Sequence, residues 1–185
     1  MKYILALAAC AAMLTQNRAM SEVVDSSPGG FTTKTTLNIQ ASPDAVYRTV
    51  IHNVGDWWNS EHTFSGSSHN LSIEEKPGGC FCEKLPDNGG VRHMVVVFLA
   101  PGKSITLSGG LGPLETIAAT GTMRIQLSAV EGGTKLEMTY AAAGYLPAGM
   151  NTWAAPVAAV LTEQFTRLKN YVEHGDPAPK DSGRK

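Results

Sequence analysis

Alternation of apolar and polar side chains is the dominant pattern between residues 31 and 142. In the segment 31–40, Phe31, Leu37 and Ile39 share one parity, whereas Lys34 takes the other. A period of two with one apolar face predicts a half-buried strand. Further segments of this kind follow, separated by turns rich in glycine and proline, and they predict strands at 71–75, 80–85, 91–99, 104–109, 115–128 and 134–142. Because the connections are short, we expect about seven strands in an antiparallel sheet.

The segment after the first strand predicts a short helix. Ser42 is a favourable N-cap, Pro43 suits the first helical turn, and Asp44 places a negative charge near the helix N-terminus. This helix should run to about Asn53. A second short helical turn is predicted at 56–58, before a polar loop.

A long amphipathic helix is predicted at 151–174, with Gly175 in the usual C-terminal stop position. Pro156 lies near its start, so we expect either a kink there or a helix that begins at Ala155. Apolar residues, with one glutamine among them, recur at three- and four-residue spacing as Val157, Val160, Leu161, Gln164, Leu168, Tyr171 and Val172.

The order of these elements predicts an α+β fold. A curved antiparallel sheet must bury its apolar face, and the C-terminal helix is the only large element available to cover it. With two short helices after the first strand closing one end, this arrangement tends to leave space between the helix and the sheet.

The N-terminus has the pattern of a secretory signal peptide, which we predict to span residues 1–21. Lys2 supplies a positive charge, the apolar run 3–14 follows, and small residues at Ala19 and Ser21 favour cleavage before Glu22. We therefore expect an exported protein, periplasmic or secreted. Cleavage after Ala19 is the alternative position.

A lipobox-like stretch offers a second reading of the same leader. It ends at Cys10, whose thiol would be lipidated and would anchor the protein to a membrane. Beyond the leader, residues 22–30 form a short polar segment, the domain spans 31–175, and the composition of 176–185 predicts a disordered tail.

Composition and charge exclude several classes of function. The formal net charge is −1, apolar residues make up 43% of the chain, and neither acidic nor basic residues cluster, so nucleic acid is not an expected partner. The run 3–14 is too short to span a membrane and no longer apolar run exists, so we expect no transmembrane segment. There is no Gly-x-Ser-x-Gly motif, so we do not expect a serine hydrolase. The glycine-rich stretch 108–112 lacks the lysine and the helix of a phosphate-binding loop. We therefore expect no cofactor.

Six short motifs follow one another between residues 31 and 175. They lie at 39–47, 56–58, 77–83, 100–102, 132–136 and 164–169. In this order and spacing the chain resembles the SRPBCC (START-related) superfamily, which has the helix-grip fold. Within that superfamily it is similar to the heat-shock ATPase activator-like and polyketide cyclase-like branch.

The resemblance implies an apolar cavity that binds lipids, polyketides or other hydrophobic small molecules. Some members of the superfamily are cyclases or hydrolases, and the superfamily has no common catalytic triad or cofactor that could be transferred to this chain. The activator-like relatives also imply a protein-binding module as an alternative.

Cys80 and Cys82 are the residues most suggestive of redox or metal chemistry. They point to one face of a strand, and a disulfide between them would join Cα atoms roughly 6.5 Å apart in an extended strand. Two thiolates could also hold a soft metal ion with further ligands, of which His93 is the nearest candidate. We expect packed or free thiols, with a disulfide or redox pair second and a metal site third.

Glu83 is the candidate polar group of the cavity. It shares its parity with Phe81 and Leu85, which we assign to the inner face of the sheet. A carboxylate there could bind the polar end of a ligand or act as an acid or base. The structural alternative is an ion pair with Arg92 or Lys84.

The sequence thus predicts a binding protein for a hydrophobic small molecule, lipid-like or polyketide-like. The residues expected to line its cavity are Trp58, Phe81, Glu83, Tyr140, Trp153 and Leu161. Of Trp57 and Trp58 we expect one inside and one partly exposed, and we expect His62 and His69 on the surface. A cyclase- or hydrolase-like enzyme using Glu83 as acid or base is the main alternative, followed by a redox or metal site at the two cysteines.

Overall fold

The computed structural model describes residues 20–178, which form an eight-stranded antiparallel sheet and a long C-terminal helix. The spatial order of the strands is β1-β2-β8-β7-β6-β5-β4-β3. The strands are β1 Met20–Ser27, β2 Gly30–Ile39, β3 Leu71–Ile73, β4 Cys80–Lys84, β5 Gly90–Ala100, β6 Ser104–Ser108, β7 Ala118–Val130 and β8 Gly133–Tyr145. The α-helices are α1 Pro43–His52, α2 Val54–Trp57 and α3 Ala154–His174. The predicted α+β class, the curved antiparallel sheet and the long helix are confirmed.

The last two residues of the predicted leader and the polar segment after it form β1, an edge strand that the apolar pattern did not predict. It pairs with β2 from Ser27 opposite Gly30 to Met20 opposite Thr36. The residues from Glu22 to Gly29 are exposed, so neither face carries the apolar alternation by which a strand is recognised. Backbone hydrogen bonds to β2 define this strand, and it raises the expected count of about seven strands to eight.

The first helix begins and ends where the sequence predicts. The Ser42 side chain accepts a hydrogen bond from the backbone NH of Ala45, and Pro43 occupies the first turn. Val46 and Val50, one helical turn apart, are buried against the sheet side of the molecule. The second helix, α2, is a single turn.

The C-terminal helix packs on the inner face of the sheet. A 3₁₀ turn at Met150–Trp153 leads into α3, and Pro156 is the third helical residue, where its missing NH costs no helical hydrogen bond. Gly175 closes the helix at φ 73°, with its NH bonded to the Tyr171 carbonyl. The predicted stripe is buried or half-buried throughout, and it also includes Phe165.

The strand predicted at 115–128 begins later than expected. A 3₁₀ turn occupies Gly112–Thr116 and β7 begins at Ala118. The turn is held locally, because the Thr116 hydroxyl donates to the Pro113 carbonyl and the Gly110 NH donates to Glu115. Hydrogen bonds of this kind, between side chains and nearby backbone groups, compete with strand pairing. The apolar alternation of the sequence does not reveal them.

The remaining predictions, at the chain ends, concern residues outside the described range. The predicted signal peptide lies outside the described range except for Met20 and Ser21, and Cys10 also lies outside it. The predicted tail is described only as far as Ala178. Within residues 20–178 no helix is both long and apolar enough to span a membrane.

Candidate functional site: a cavity between the sheet and the C-terminal helix

A cavity of about 270 Å³ lies between the inner face of the sheet and the first half of α3. Five of the six residues predicted to line it do so: Trp58, Phe81, Tyr140, Trp153 and Leu161. The wall also includes Phe64, Leu71, His93, Leu111, Val157 and Val160. The cavity is therefore bounded almost entirely by aromatic and aliphatic side chains.

Strand β4 presents its side chains with the predicted alternation. Phe81 and Glu83 are buried on the inner side, with 2% and 1% of their surfaces exposed, whereas Cys80 and Cys82 are only half-buried. The period of two in the sequence thus assigned the inner and outer faces of this strand correctly.

A β-bulge in β5 places a second polar side chain on the inner side. Phe81 pairs with Met94 and Cys82 pairs with Arg92, so His93 has no partner residue on β4. His93 and Met94 are consecutive and both are buried, which regular alternation does not allow. The sequence indicates His93 only as a candidate ligand for a metal at the cysteines. No apolar pattern could have revealed its inward position.

Glu83 and His93 form a buried pair. Glu83 Oε2 lies 3.0 Å from His93 Nε2, and Glu83 Oε1 accepts a hydrogen bond from the backbone NH of Ser65. The side chain of Glu83 is fully buried and that of His93 is 5% exposed. The expected alternatives, an ion pair of Glu83 with Arg92 or Lys84, are wrong, because both of those side chains point to the outer side or the strand end.

The pKa of the Glu83 carboxyl lies below its ordinary value. Burial by itself raises this pKa, but the hydrogen bonds donated by Ser65, Phe64 and His93 outweigh burial because they stabilise the charged form. Glu83 is therefore a carboxylate at neutral pH. A carboxylate only accepts hydrogen bonds, so His93 Nε2 carries the proton of the shared bond.

The cavity wall contains His93, whereas Glu83 lies behind it. Glu83 was predicted to be the polar group that faces a ligand, but its two oxygens are occupied by Ser65 and His93. The other ring nitrogen, His93 Nδ1, is buried and has no hydrogen-bond partner among the described residues. His93, and not Glu83, is thus the buried polar side chain that faces the cavity, and Glu83 orients its imidazole.

Aromatic rings hold the imidazole on both sides. Phe64 is stacked on His93 with an interplanar angle of 15° and a centroid distance of 5.9 Å, and Phe81 contacts it at 5.4 Å. Phe81 in turn packs edge-on against Trp58. Trp57 and Trp58 are both buried, so the expectation that one of them is partly exposed is wrong. Their indole NH groups are satisfied by backbone carbonyls, which lets both rings lie inside.

Tyr140 closes the cavity at the sheet, and its hydroxyl is already engaged. This hydroxyl accepts from the Leu111 NH at 3.1 Å and donates to the Gly109 carbonyl at 3.4 Å. Burial raises the pKa of Tyr140 to about 12. The ring lies against Gly121, where a Cβ atom would be 2.6 Å from Tyr140 Cε2, so glycine is required at that position.

The rim of the cavity carries a second, exposed Glu–His pair. His62 Nε2 lies 3.3 Å from Glu163 Oε2 on α3, and the side chain of His62 is about one-third exposed. Asn59 also binds Glu163 and, through its backbone NH, the buried Gln164. These contacts attach the loop after α2 to α3. The other loop histidine, His69, is exposed as predicted.

Cys80 and Cys82 are joined by a disulfide bond in the structure. The expectation of packed or free thiols is therefore corrected. Their Cα atoms are 5.3 Å apart, less than the roughly 6.5 Å of an extended strand. In the range 20–178 no group of three or more His, Cys, Asp or Glu side chains is placed to hold a metal ion.

The fold and the cavity together define a protein of the helix-grip type. This is an α+β fold in which an antiparallel sheet wraps around a long C-terminal helix, with an apolar cavity between the two. No family model and no curated protein sequence matches the chain. Solved structures do share the fold. A conserved protein of unknown function from Enterococcus faecalis has 19% sequence identity and a TM-score of 0.59, over 89% of this chain and 82% of that one.

Two further structures with the same fold have specific names. The Aha1 dimer from Colwellia psychrerythraea has 16% identity and a TM-score of 0.54, over 78% of this chain and 97% of that one. CalU16 from Micromonospora echinospora has 17% identity and a TM-score of 0.53, over 90% and 89% of the two chains. At these identities the likeness is one of fold.

Proposed function

We propose that this chain is an exported binding protein of the SRPBCC superfamily, which holds a hydrophobic small molecule between its sheet and its C-terminal helix. The observation that carries the proposal is the cavity itself, whose wall is mostly aromatic and aliphatic with a few polar groups. Concave, mostly apolar pockets with few polar groups are the usual form of small-molecule sites. The sequence motifs and the fold shared with Aha1 and CalU16 support membership of the superfamily.

The size of the cavity limits the ligand. A dry apolar cavity of about 150 Å³ accommodates benzene, so the volume of about 270 Å³ found here corresponds to one or two rings or a short acyl chain. Five aromatic side chains and two histidines line this space, and aromatic walls favour flat ring systems through stacking and edge contacts. A compact ring molecule is therefore a better occupant than a two-chain lipid.

Binding is tested with native mass spectrometry and with the bicyclic fluorophore prodan. Val157→Trp, which fills the cavity from α3, should weaken prodan binding at least tenfold. Val172→Trp is the matched control, because Val172 lies on the same helix, half-buried, away from the cavity wall. Prodan affinity that is equal in both variants and the wild type, or absent in the wild type, contradicts the proposal.

A cyclase- or hydrolase-like enzyme is the second candidate. The specific observation in its favour is that Glu83 faces another titratable group, His93, at the cavity. The two candidate functions differ in whether the bound molecule is chemically changed. Ligand extracted after incubation with the wild type and with Glu83→Gln should have the same mass if the protein only binds, whereas a mass change confined to the wild type favours the enzyme.

Export is tested separately from binding. The mature protein from a bacterial expression host should begin near Glu22 and be found outside the cytoplasm. Intact-mass analysis distinguishes this form from the lipoprotein alternative, in which the chain would begin at Cys10 with added acyl mass. A full-length cytoplasmic chain would contradict export.

A further inference from the structure

We propose that His93 Nδ1 is a hydrogen-bond acceptor for the hydroxyl group of a compact aromatic ligand, so that the cavity selects phenol-like molecules over their ethers. This inference rests on the proposed binding function and specifies which ligands the cavity takes. It follows from the hydrogen bonds around one ring.

The tautomer of His93 is set by the groups behind it. The Ser65 NH donates to Glu83 Oε1, and Glu83 Oε2 receives the proton on His93 Nε2. In a neutral imidazole with its proton on Nε2, the nitrogen Nδ1 has a lone pair and no proton. Nδ1 is thus an acceptor, and it is left without a partner within residues 20–178.

The other polar groups at the cavity are already paired or exposed. The Tyr140 hydroxyl is bonded to Leu111 and Gly109, and the Thr63 hydroxyl donates to the Ser60 carbonyl. His62 pairs with Glu163 at the rim, and Glu61 is exposed. Within residues 20–178, Glu83 is the titratable group paired with the imidazole.

An unpaired buried acceptor costs free energy, and a ligand hydroxyl group that reaches it recovers that cost. Because Nδ1 is buried, a hydroxyl reaches it only if a neighbouring side chain moves, and Phe64, which contacts the imidazole and is 48% exposed, is the candidate. Most of the remaining wall is apolar and the other polar groups are paired or exposed, so the rest of the ligand should be apolar. A ring of one or two fused cycles with a single hydroxyl group satisfies both conditions.

The test measures displacement of prodan, which has no hydrogen-bond donor, by 2-naphthol and by 2-methoxynaphthalene. The measured quantity is the ratio of the two dissociation constants, ether over alcohol, which cancels most of the shared apolar contribution. One neutral hydrogen bond corresponds to roughly a fivefold change. The ratio should therefore be roughly fivefold higher in the wild type than in His93→Phe.

Glu83→Gln gives a sharper version of the same test. The Ser65 NH requires an oxygen opposite it, so the amide NH₂ of the glutamine must face His93 and donate to Nε2. This moves the imidazole proton to Nδ1 and turns the acceptor into a donor. Both ligands can accept from a donor, so the preference for 2-naphthol should disappear while prodan still binds.

His52 and Glu75 provide the matched control. They form an exposed Glu–His pair with Nε2 and Oε2 3.1 Å apart, outside the cavity wall. Glu75→Gln should leave the ratio of dissociation constants unchanged. A change equal to that of Glu83→Gln would mean that the effect does not come from the cavity, and would overturn the inference.

The outcomes separate this inference from the proposed function. If prodan binds but the ratio is the same in the wild type, His93→Phe and Glu83→Gln, the inference is overturned and the binding function stands. If prodan does not bind the wild type, both fail. Should either variant not fold, ¹⁵N NMR of the wild-type imidazole decides: a proton on Nε2 with Nδ1 unprotonated supports the inference, and a proton on Nδ1, in the neutral or the doubly protonated ring, overturns it.

Discussion

At the scale of single residues, the chemistry of the cavity depends on which polar groups are paired. Glu83 is fully buried as an anion because three donors surround it. Glu83 binds His93 Nε2 and thereby orients the imidazole in the cavity wall. The glutamate therefore acts through the histidine, and changing either residue alters the other.

Glu83 should make the stability of the protein depend on pH in the acid range. Its pKa in the folded protein is below the ordinary 4.5, so its contribution is complete above pH 4.5 and is lost as the pH falls through the folded-state pKa. Glu83→Gln should remove this part of the acid dependence and cost about 1–3 kcal/mol at neutral pH. Urea unfolding of both proteins between pH 7 and pH 3 measures it. Parallel stability curves would contradict the assignment.

Gly121 is a second residue whose identity follows from a contact. A methyl group there would collide with the Tyr140 ring, so Gly121→Ala should destabilise the protein by about 1–3 kcal/mol. Gly29→Ala is the control, because the nearest atom to its added Cβ would be 3.9 Å away, and its effect should stay within about 0.5 kcal/mol. Thermal and urea unfolding of the two variants give the comparison.

At the scale of elements, the bulge in β5 is decisive. Alternation in β4 assigned its two faces correctly, but one extra residue in β5 brings His93 to the same side as Met94. A bulge is a property of the pairing between two strands, so the sequence of one strand does not reveal it. The edge strand β1 was not predicted for a related reason. It is defined by its backbone pairing with β2 and not by an apolar pattern.

The disulfide of β4 should contribute to the stability of the protein and not to ligand binding in the cavity. Cys80 and Cys82 are on the opposite side from Phe81 and Glu83, so Cys80→Ser/Cys82→Ser should leave prodan affinity unchanged. Closing so short a loop contributes only about 1–2 kcal/mol in the chain-entropy model. Thiol titration of the exported protein should find no free thiol at these positions. Two titratable thiols would contradict the disulfide.

At the scale of the whole molecule, the long helix closes the fold over the sheet. Phe165 lies at the centre of α3 and is 1% exposed, against Trp57 and the sheet. The cavity occupies the part of this interface nearer the start of the helix, where Trp153, Val157 and Leu161 line it. One end of the interface is thus solid core and the other end is open for a ligand.

Phe165→Ala should therefore destabilise the whole domain by about 3–5 kcal/mol. Phe98→Ala is the matched control on the outer surface, where the ring is 54% exposed, and it should cost less than about 1 kcal/mol. Calorimetric or chemical unfolding of both variants measures the difference. Equal losses would contradict the view that α3 carries the core of the fold.

The sequence by itself determined the fold class, the course of α1 and α3, most of the strands and the inward position of Phe81 and Glu83. All of these depend on local periodicity, capping and turn residues, which are written in consecutive positions. Five of the six predicted lining residues were found in the same way, by parity and by the resemblance.

Only the tertiary structure decided which group faces the cavity. The Glu83–His93 pair joins two strands across a bulge, the Ser65 NH comes from a distant loop, and Tyr140 is fixed by backbone groups of the loop at Gly109 and Leu111. These contacts depend on register and on loops that fold against the sheet. Periodicity along one strand carries no information about register, and for that reason the histidine could not be foreseen.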